Sequence, residues 1–274
     1  MDVLFSSSPH AIDLILENLD FKSVKRLRQV NHILQRYINY HPPDIKLKKI
    51  HCELGVKKIT IILSRDSRHN REGDPFDAEI KYTQEGGHVW VQNNGRRRTL
   101  HPMKNLYDVA IKDLQFILRS QRSLLLDFVI FCENFRAEDY RRRLRVFHER
   151  LRSGLEHRLR PMSVHMLHMS IPSDESLLMH VFPHLDLHDI ASLQIDNCDP
   201  NAPEDTVLRL NRIVNTLQWE QLDYVCINQG FQVRANIAQF IHIPVRRVQY
   251  HPRSIARFRQ NLRRQVEAMQ RAPE

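Results

Sequence analysis

Histidine is the residue type with the most chemical potential in this chain. There are 16 of them, and His180, His184 and His188 fall four apart. That spacing could aim three imidazoles from one helix face at a metal ion. Pro183 interrupts the run, however, and Leu185-Asp186-Leu187 reads as the exit from a helix. No His-Glu-x-x-His and no Cys/His cluster accompanies them. His165 and His168 alternate with Val164 and Met166 at strand spacing, which would leave one of them half-inside and hydrogen-bonded. The four cysteines, Cys52, Cys132, Cys198 and Cys226, are scattered without a Cys-x-x-Cys pair. None has a motif partner that would activate a nucleophile, so they read as small buried hydrophobes of a reducing compartment. Gly86-Gly87 lacks the context of a phosphate loop. Residue types suited to catalysis are thus present without the spacing it requires. The expectation is no catalytic residue, no metal and no cofactor.

The elements that would position anything functional begin at the N-terminus. Ile12, Ile15, Leu16 and Leu19 sit at i, i+3, i+4 and i+7, one face of a helix. Asp20 breaks the run and can cap a second helix starting at Phe21 and carrying Val24 and Leu27. Asn31 can cap a third, with Ile33, Leu34, Tyr37 and Ile38 at helical spacing, which Pro42-Pro43 stops. Three helices this short have too little interior for so many apolar groups, so part of that surface must be covered by something else.

The pattern resembles the F-box, the motif that docks a protein on the Skp-type adaptor of an SCF ubiquitin ligase. The matching letters are Pro9, Ile15-Leu16-x-x-Leu19-Asp20, Ser23-Val24-x-x-Leu27-x-x-Val30 and Leu34-x-x-x-Ile38. It departs from the family at Ser8 and Ala11, where leucine and an acidic residue are usual, and Pro9 stands one residue closer to Leu19. The resemblance implies an adaptor-binding set of Pro9, Ile12, Ile15, Leu16, Leu19, Val24, Leu27, Val30 and Leu34. The bland alternative is a helical cap whose apolar face packs on the rest of the chain.

Composition narrows the class. The chain has 274 residues, 42% of them hydrophobic, with only 7 Gly and 13 Pro, enough for a real core and unlike a low-complexity protein. No run reaches the apolar length of a membrane span, and no charged-then-apolar leader opens it. The expected setting is cytoplasmic, nuclear or both, with no membrane partner. The net charge of +9 comes mostly from arginine clusters such as Arg96 to Arg98 and Arg141 to Arg143. Such a balance permits an acidic partner or nucleic acid. Yet 32 acidic residues are interleaved, and no named nucleic-acid motif appears. Solvated helix faces are the simplest reading, an acidic protein surface the next and nucleic acid the last.

After Pro43 the period turns strand-like: Ile59, Ile61 and Leu63 alternate, as do Ile80 and Tyr82, then Val89 and Val91. Gly86-Gly87 between two such runs predicts a hairpin, because both turn positions can take positive φ. Beyond Leu106, helix-like and strand-like runs alternate. Their joins share a spelling that starts at Leu125, Leu159, Ile190, Leu222 and Val245, in the form L-x-x-L-x-L. A recurrence of this kind looks like a degenerate leucine-rich repeat, in which one unit cannot cover its inward side chains and stacked neighbours can. Tyr140, Leu144, Phe147, Leu151 and Leu155 predict one intervening helix. Val207, Leu210, Val214 and Leu217 predict another, led in by Pro203. A last helix follows Pro252 through Ile255, Phe258, Leu262, Val266 and Met269, with an arginine-rich back, as a stack needs at its open end.

The stretch from Asn105 to Ile130, the hairpin before it and the unit from His180 to Cys198 resemble the FTH domain, which follows the F-box in a large nematode family. The expected fold is α/β, α+β at the N-terminus. It comprises a three-helix F-box over 1–44, a small β-rich hairpin segment over 45–105, and over 106–274 an irregular leucine-rich-repeat-like βα stack with a C-terminal capping helix. The resemblance implies a substrate-recognition subunit that binds a Skp-type adaptor, and through it a cullin-RING ligase, and presents an unknown target protein. A basic nucleic-acid binder and a non-ligase scaffold are the rivals. The loops over 64–75 and 196–206 and the exposed strand edge are the candidate target-binding parts.

Overall fold

Short helices open the chain where caps let them. In the computed structural model, which describes residues 9–65, 77–102, 105–132, 138–172, 175–199, 203, 206–228, 230–250 and 252–271, α1 spans Pro9–Glu17, α2 Phe21–Val30 and α3 His32–Tyr40. The Asp20 carboxylate accepts from the Ser23 N–H at 2.7 Å and the Asn31 side chain from the Leu34 N–H at 2.8 Å. Each thereby satisfies a donor that the first helical turn leaves unpaired.

One sheet then carries the molecule. Strands β1 (Lys49–Leu54), β2 (Lys58–Ser64), β3 (Ala78–Glu85), β4 (His88–Asn93) and β5 (Arg96–Pro102) form an antiparallel meander. The β3–β4 hairpin turns at Gly86 and Gly87, whose φ values are +54° and +78°, a geometry that a Cβ would strain. Helix α4 (Leu106–Ser120) leads to β6 (Leu125–Cys132), and α5 (Glu138–Glu156) to β7 (Val164–Ile171). Shorter pieces come next: α6 (Ser176–Met179), β8 (Ser192–Asn197), β9 (Val207–Arg209), α7 (Leu217–Glu220), β10 (Tyr224–Ile227), β11 (Gln232–Arg234) and β12 (Val245–Arg247), before the long α8 (Pro252–Arg271). The ten-stranded order is β12-β10-β8-β7-β6-β1-β2-β3-β4-β5, parallel from β12 to β1. The fold is mixed α/β, with a large, mostly parallel sheet and eight α-helices among the described residues.

The β-rich segment over 45–105 is therefore continuous with the βα units over 106–274, because β1 lies between β2 and β6. A buried amide fastens that junction: Gln121 accepts from the Leu47 N–H at 2.9 Å and donates to the Leu47 carbonyl at 3.0 Å. It acts there as an extra rung of backbone pairing, which satisfies polar groups that burial would otherwise leave costly.

Register corrects where the recurring units begin. Leu125 pairs with Val164, Phe128 with Leu167 and Ile130 with Met169. The unit after Leu125 thus starts at Val164; Leu159 stands fully exposed in the turn before it. Ile190 and Leu222 keep their places, since Leu193 pairs with Leu167 and with Val225. Val225 pairs with Arg246, which puts the last start at Ile243 rather than Val245. On the other side Ile50 pairs with Phe128, so Leu47-x-x-Ile50-x-Cys52 is in step with them and belongs to the same series.

The predicted helix over Val207 to Leu217 is not one helix. Val207–Arg209 is strand β9, paired in parallel with β11, and Ile213–Asn215 is a 3-10 turn before α7. Leu208 and Leu210 are the inward pair, an alternation of two that competed with the reading at three and four. Glu175 fastens the 3-10 turn, its buried carboxylate accepting from the Arg212 and Ile213 N–H groups at 2.8 and 3.1 Å. Trp219 ties this unit to the next: its ring meets Phe240 edge-on at 5.0 Å, and its N–H donates to the Gln239 carbonyl at 2.8 Å.

One continuous core fills the fold, running from Leu16 in α1 to Ile243. The predicted α5 stripe, Tyr140, Leu144, Phe147, Leu151 and Leu155, lies wholly in it. The four cysteines are free and buried. Burial pushes the Cys198 thiol up to about 12 and raises Cys52 and Cys132 as well, which suppresses the reactive thiolate.

Candidate functional site

Helices α1 to α3 are held to the body by α4. Phe21 packs on Phe116 with centroids 6.3 Å apart, the Arg28 guanidinium lies 3.9 Å above the same ring, and Lys25 pairs with Asp113 at 2.7 Å. Asp113 also accepts from the buried Tyr82 hydroxyl at 2.6 Å, so α2, α4 and β3 meet at one carboxylate. Tyr37 donates to Asp13 at 2.8 Å and joins α3 to α1. Arg65, at the end of β2, donates to the Leu19 carbonyl at 2.9 Å.

This anchoring divides the predicted adaptor-binding residues. Leu16 and Val24 are 2% and 0% exposed and sit in the chain's own core. They hold the helices in place and are not free to touch a partner. Ile12, Leu19 and Leu27 are half-buried against that core, and Leu34 is half-buried in α3. Ile15 and Val30 are 59% and 62% exposed. Pro9 opens α1, and its side chain lies outside the described ones. Two exposed apolar residues were missed, Leu14 at 50% and Tyr40 at 78%. The signal for Leu14 was its place off the i, i+3, i+4, i+7 stripe, where an apolar residue has no core to face.

A second surface lies on the sheet. In β1, Ile50, Cys52 and Leu54 are buried while Lys49, His51 and Glu53 point the other way, as the period of two requires. Strand pairing aligns His51, Val129, His168, Gln194, Cys226 and Arg247 in one row across six strands. Phe131 bridges two histidines there, 5.5 Å from the His51 ring and edge-on to His168 at 4.5 Å. His168 binds Asp196, whose other oxygen accepts from Asn228; Asn228 in turn accepts from the Cys226 thiol at 3.2 Å. Burial works against the Asp196 carboxylate, but the hydrogen bonds and charge of His168, together with Asn228, outweigh it and hold the group below its usual range. Burial, then Lys49 and His168, push the His51 imidazole down to about 4. The side chains of His168, Asp196, Asn228 and Cys226 thus satisfy one another and join β7, β8 and β10.

The three histidines at spacing four are not gathered. His180 ends α6, His184 lies in a 3-10 turn and His188 stands exposed beyond it. No group of three or more His, Cys, Asp or Glu among the described residues could hold a metal ion. No described helix is long and apolar enough to cross a membrane. Of the candidate loops, 64–75 falls outside the described residues beyond Arg65, and 196–206 is described only at 196–199, 203 and 206. No family model, no curated protein and no solved structure matches the chain.

Proposed function

We propose that this chain is a recognition subunit in which α1 to α3 dock on a Skp-type adaptor of an SCF ubiquitin ligase. The rest of the fold presents a target protein, and the ligase supplies the chemistry in trans. One observation carries the reading: Ile15 and Val30, two letters of the F-box resemblance, stand exposed on a helix trio that is itself firmly anchored. Exposed apolar side chains on a rigid support are what an adaptor's apolar groove would cover. The units from Leu47 to Ile243 resemble leucine-rich repeats: each supplies one parallel strand, and β9 and β11 add a second ladder behind. On that reading the row through His51, His168 and Gln194 is the face offered to the target, since recognition uses side chains borne by a rigid frame.

The burial pattern dictates the test. Leu16→Asp would unfold the helices, so its loss of binding would be uninformative. Ile15→Asp/Val30→Asp changes only exposed positions. In a pull-down with the Skp-type adaptor, the double variant is expected to lose capture while keeping the wild-type circular dichroism spectrum and Tm. Capture equal to wild type would refute the docking assignment.

A further inference from the structure

The last turns of the fold form an open basic cleft of about 610 Å³ between β9, β11 and the first two turns of α8. Four arginines line it: Arg209 from β9, Arg234 from β11, and Arg253 and Arg257 from α8. The remaining lining is amide, hydroxyl and apolar, and no acidic side chain faces the space among the described residues. Gln239 is held there by its hydrogen bond to Asn215 at 3.0 Å. Positive side chains gathered around one concavity make it attractive to an anion. Guanidinium groups present forked donors that match phosphate oxygens two at a time. The N-terminal end of α8 adds a further positive field on the same side.

From this arrangement we infer that the cleft binds a small soluble molecule carrying two or more clustered phosphate groups. The volume favours a compact ligand over a length of polypeptide, since it falls in the range of small-molecule sites. The four charges come from three elements that converge only in the folded chain, so the site depends on the fold and differs from an arginine-rich tail. It is independent of the adaptor-docking reading, which concerns the other end of the molecule.

Tripolyphosphate is a suitable probe, with the full chain in a buffer free of phosphate and sulfate. Titration calorimetry at about 0.15 M salt, where exposed charges are largely screened, is expected to show one site per chain. Arg234→Gln/Arg257→Gln should weaken it at least tenfold, whereas Arg145→Gln/Arg160→Gln, which removes the same charge from exposed positions elsewhere, should leave it within twofold. Circular dichroism of both variants controls for folding. Absence of binding by wild type, or equal weakening in the two variants, overturns the site. Tighter binding of a multiply phosphorylated peptide than of tripolyphosphate overturns the small-molecule assignment. Binding only to vesicles containing phosphoinositide, and not to tripolyphosphate, overturns the soluble one.

Discussion

The two ends of this chain are both helical and both lie against the body of the fold, yet they are joined to it in opposite ways. At the front, Leu16, Phe21, Val24 and Ile38 are members of the common core. At the back, Ser254 is the only buried residue among the described side chains of α8, and Ile255 and Phe258 are half-buried. The front leaves apolar side chains in solvent, Ile15 and Val30 among them; the back presents arginines. An end that shares the core cannot leave without unfolding the body, so its exposed apolar residues form a permanent surface. An end laid on from outside can be strengthened or loosened by what binds beneath it.

The strongest test of this contrast is Val24→Asp. A charge at a wholly enclosed position should cost on the order of 4 kcal/mol or more and lower the Tm of the whole protein in a single transition. A separate early transition of the front, with the body unchanged, would break the comparison. Acid probes the body next. Burial, with His180 beside it, pushes His148 down to about 3, and His51 is down to about 4. Both would protonate near 6.5 when unfolded. As pH falls below about 6.5 the unfolded chain gains protons that the folded chain refuses, so stability is full above that value and declines toward roughly pH 3 to 4. The expected loss is roughly 2 to 3 kcal/mol per imidazole by about pH 4.5, read as a falling urea midpoint. The front and the body should melt together throughout. Neither ring nitrogen of His148 has a hydrogen-bond partner, so His148→Leu should flatten part of that slope with little loss at neutral pH.

Smaller effects sharpen the picture at the back. Phe258→Ala removes only half-buried contact and should cost about 1 to 2 kcal/mol, seen in urea unfolding, with the far-UV signal of the body retained. A loss as large as that of Val24→Asp would mean that α8 is as integral as the front. Smallest of all, Ile15→Asp alone should change stability by less than about 0.5 kcal/mol in the same assay, because its side chain meets mainly water.

Local chemistry was legible in the sequence; long-range register was not. The caps at Asp20 and Asn31, the Gly86-Gly87 turn and the α5 stripe each rest on interactions within a few residues, so spacing alone exposed them. The starts at Leu159 and Val245 were misplaced because a spelling as loose as L-x-x-L-x-L tolerates a shift that only pairing with a neighbour forbids. Leu47 was passed over for the same reason: its partner strand begins at Leu125, after four more strands and a helix. The split of the front helices into buried Leu16 and exposed Ile15 was invisible, since both are apolar letters of one motif and only α4 decides which is enclosed. The arginine cleft left no trace at all, because its members are single residues spread over three elements.

The place of β1 bears on how the molecule is made. On the ribosome the meander over residues 49–102 can be complete while Leu125 to Cys132 has yet to emerge. Until then β1 has β2 on one side and a bare edge of unpaired N–H and C=O groups on the other, with the apolar Ile50, Cys52 and Leu54 on its inner face. A nascent chain stalled in that interval is a ready template for another copy to pair with. Shielding by a chaperone is therefore needed most in that interval, before β6 arrives to close the gap.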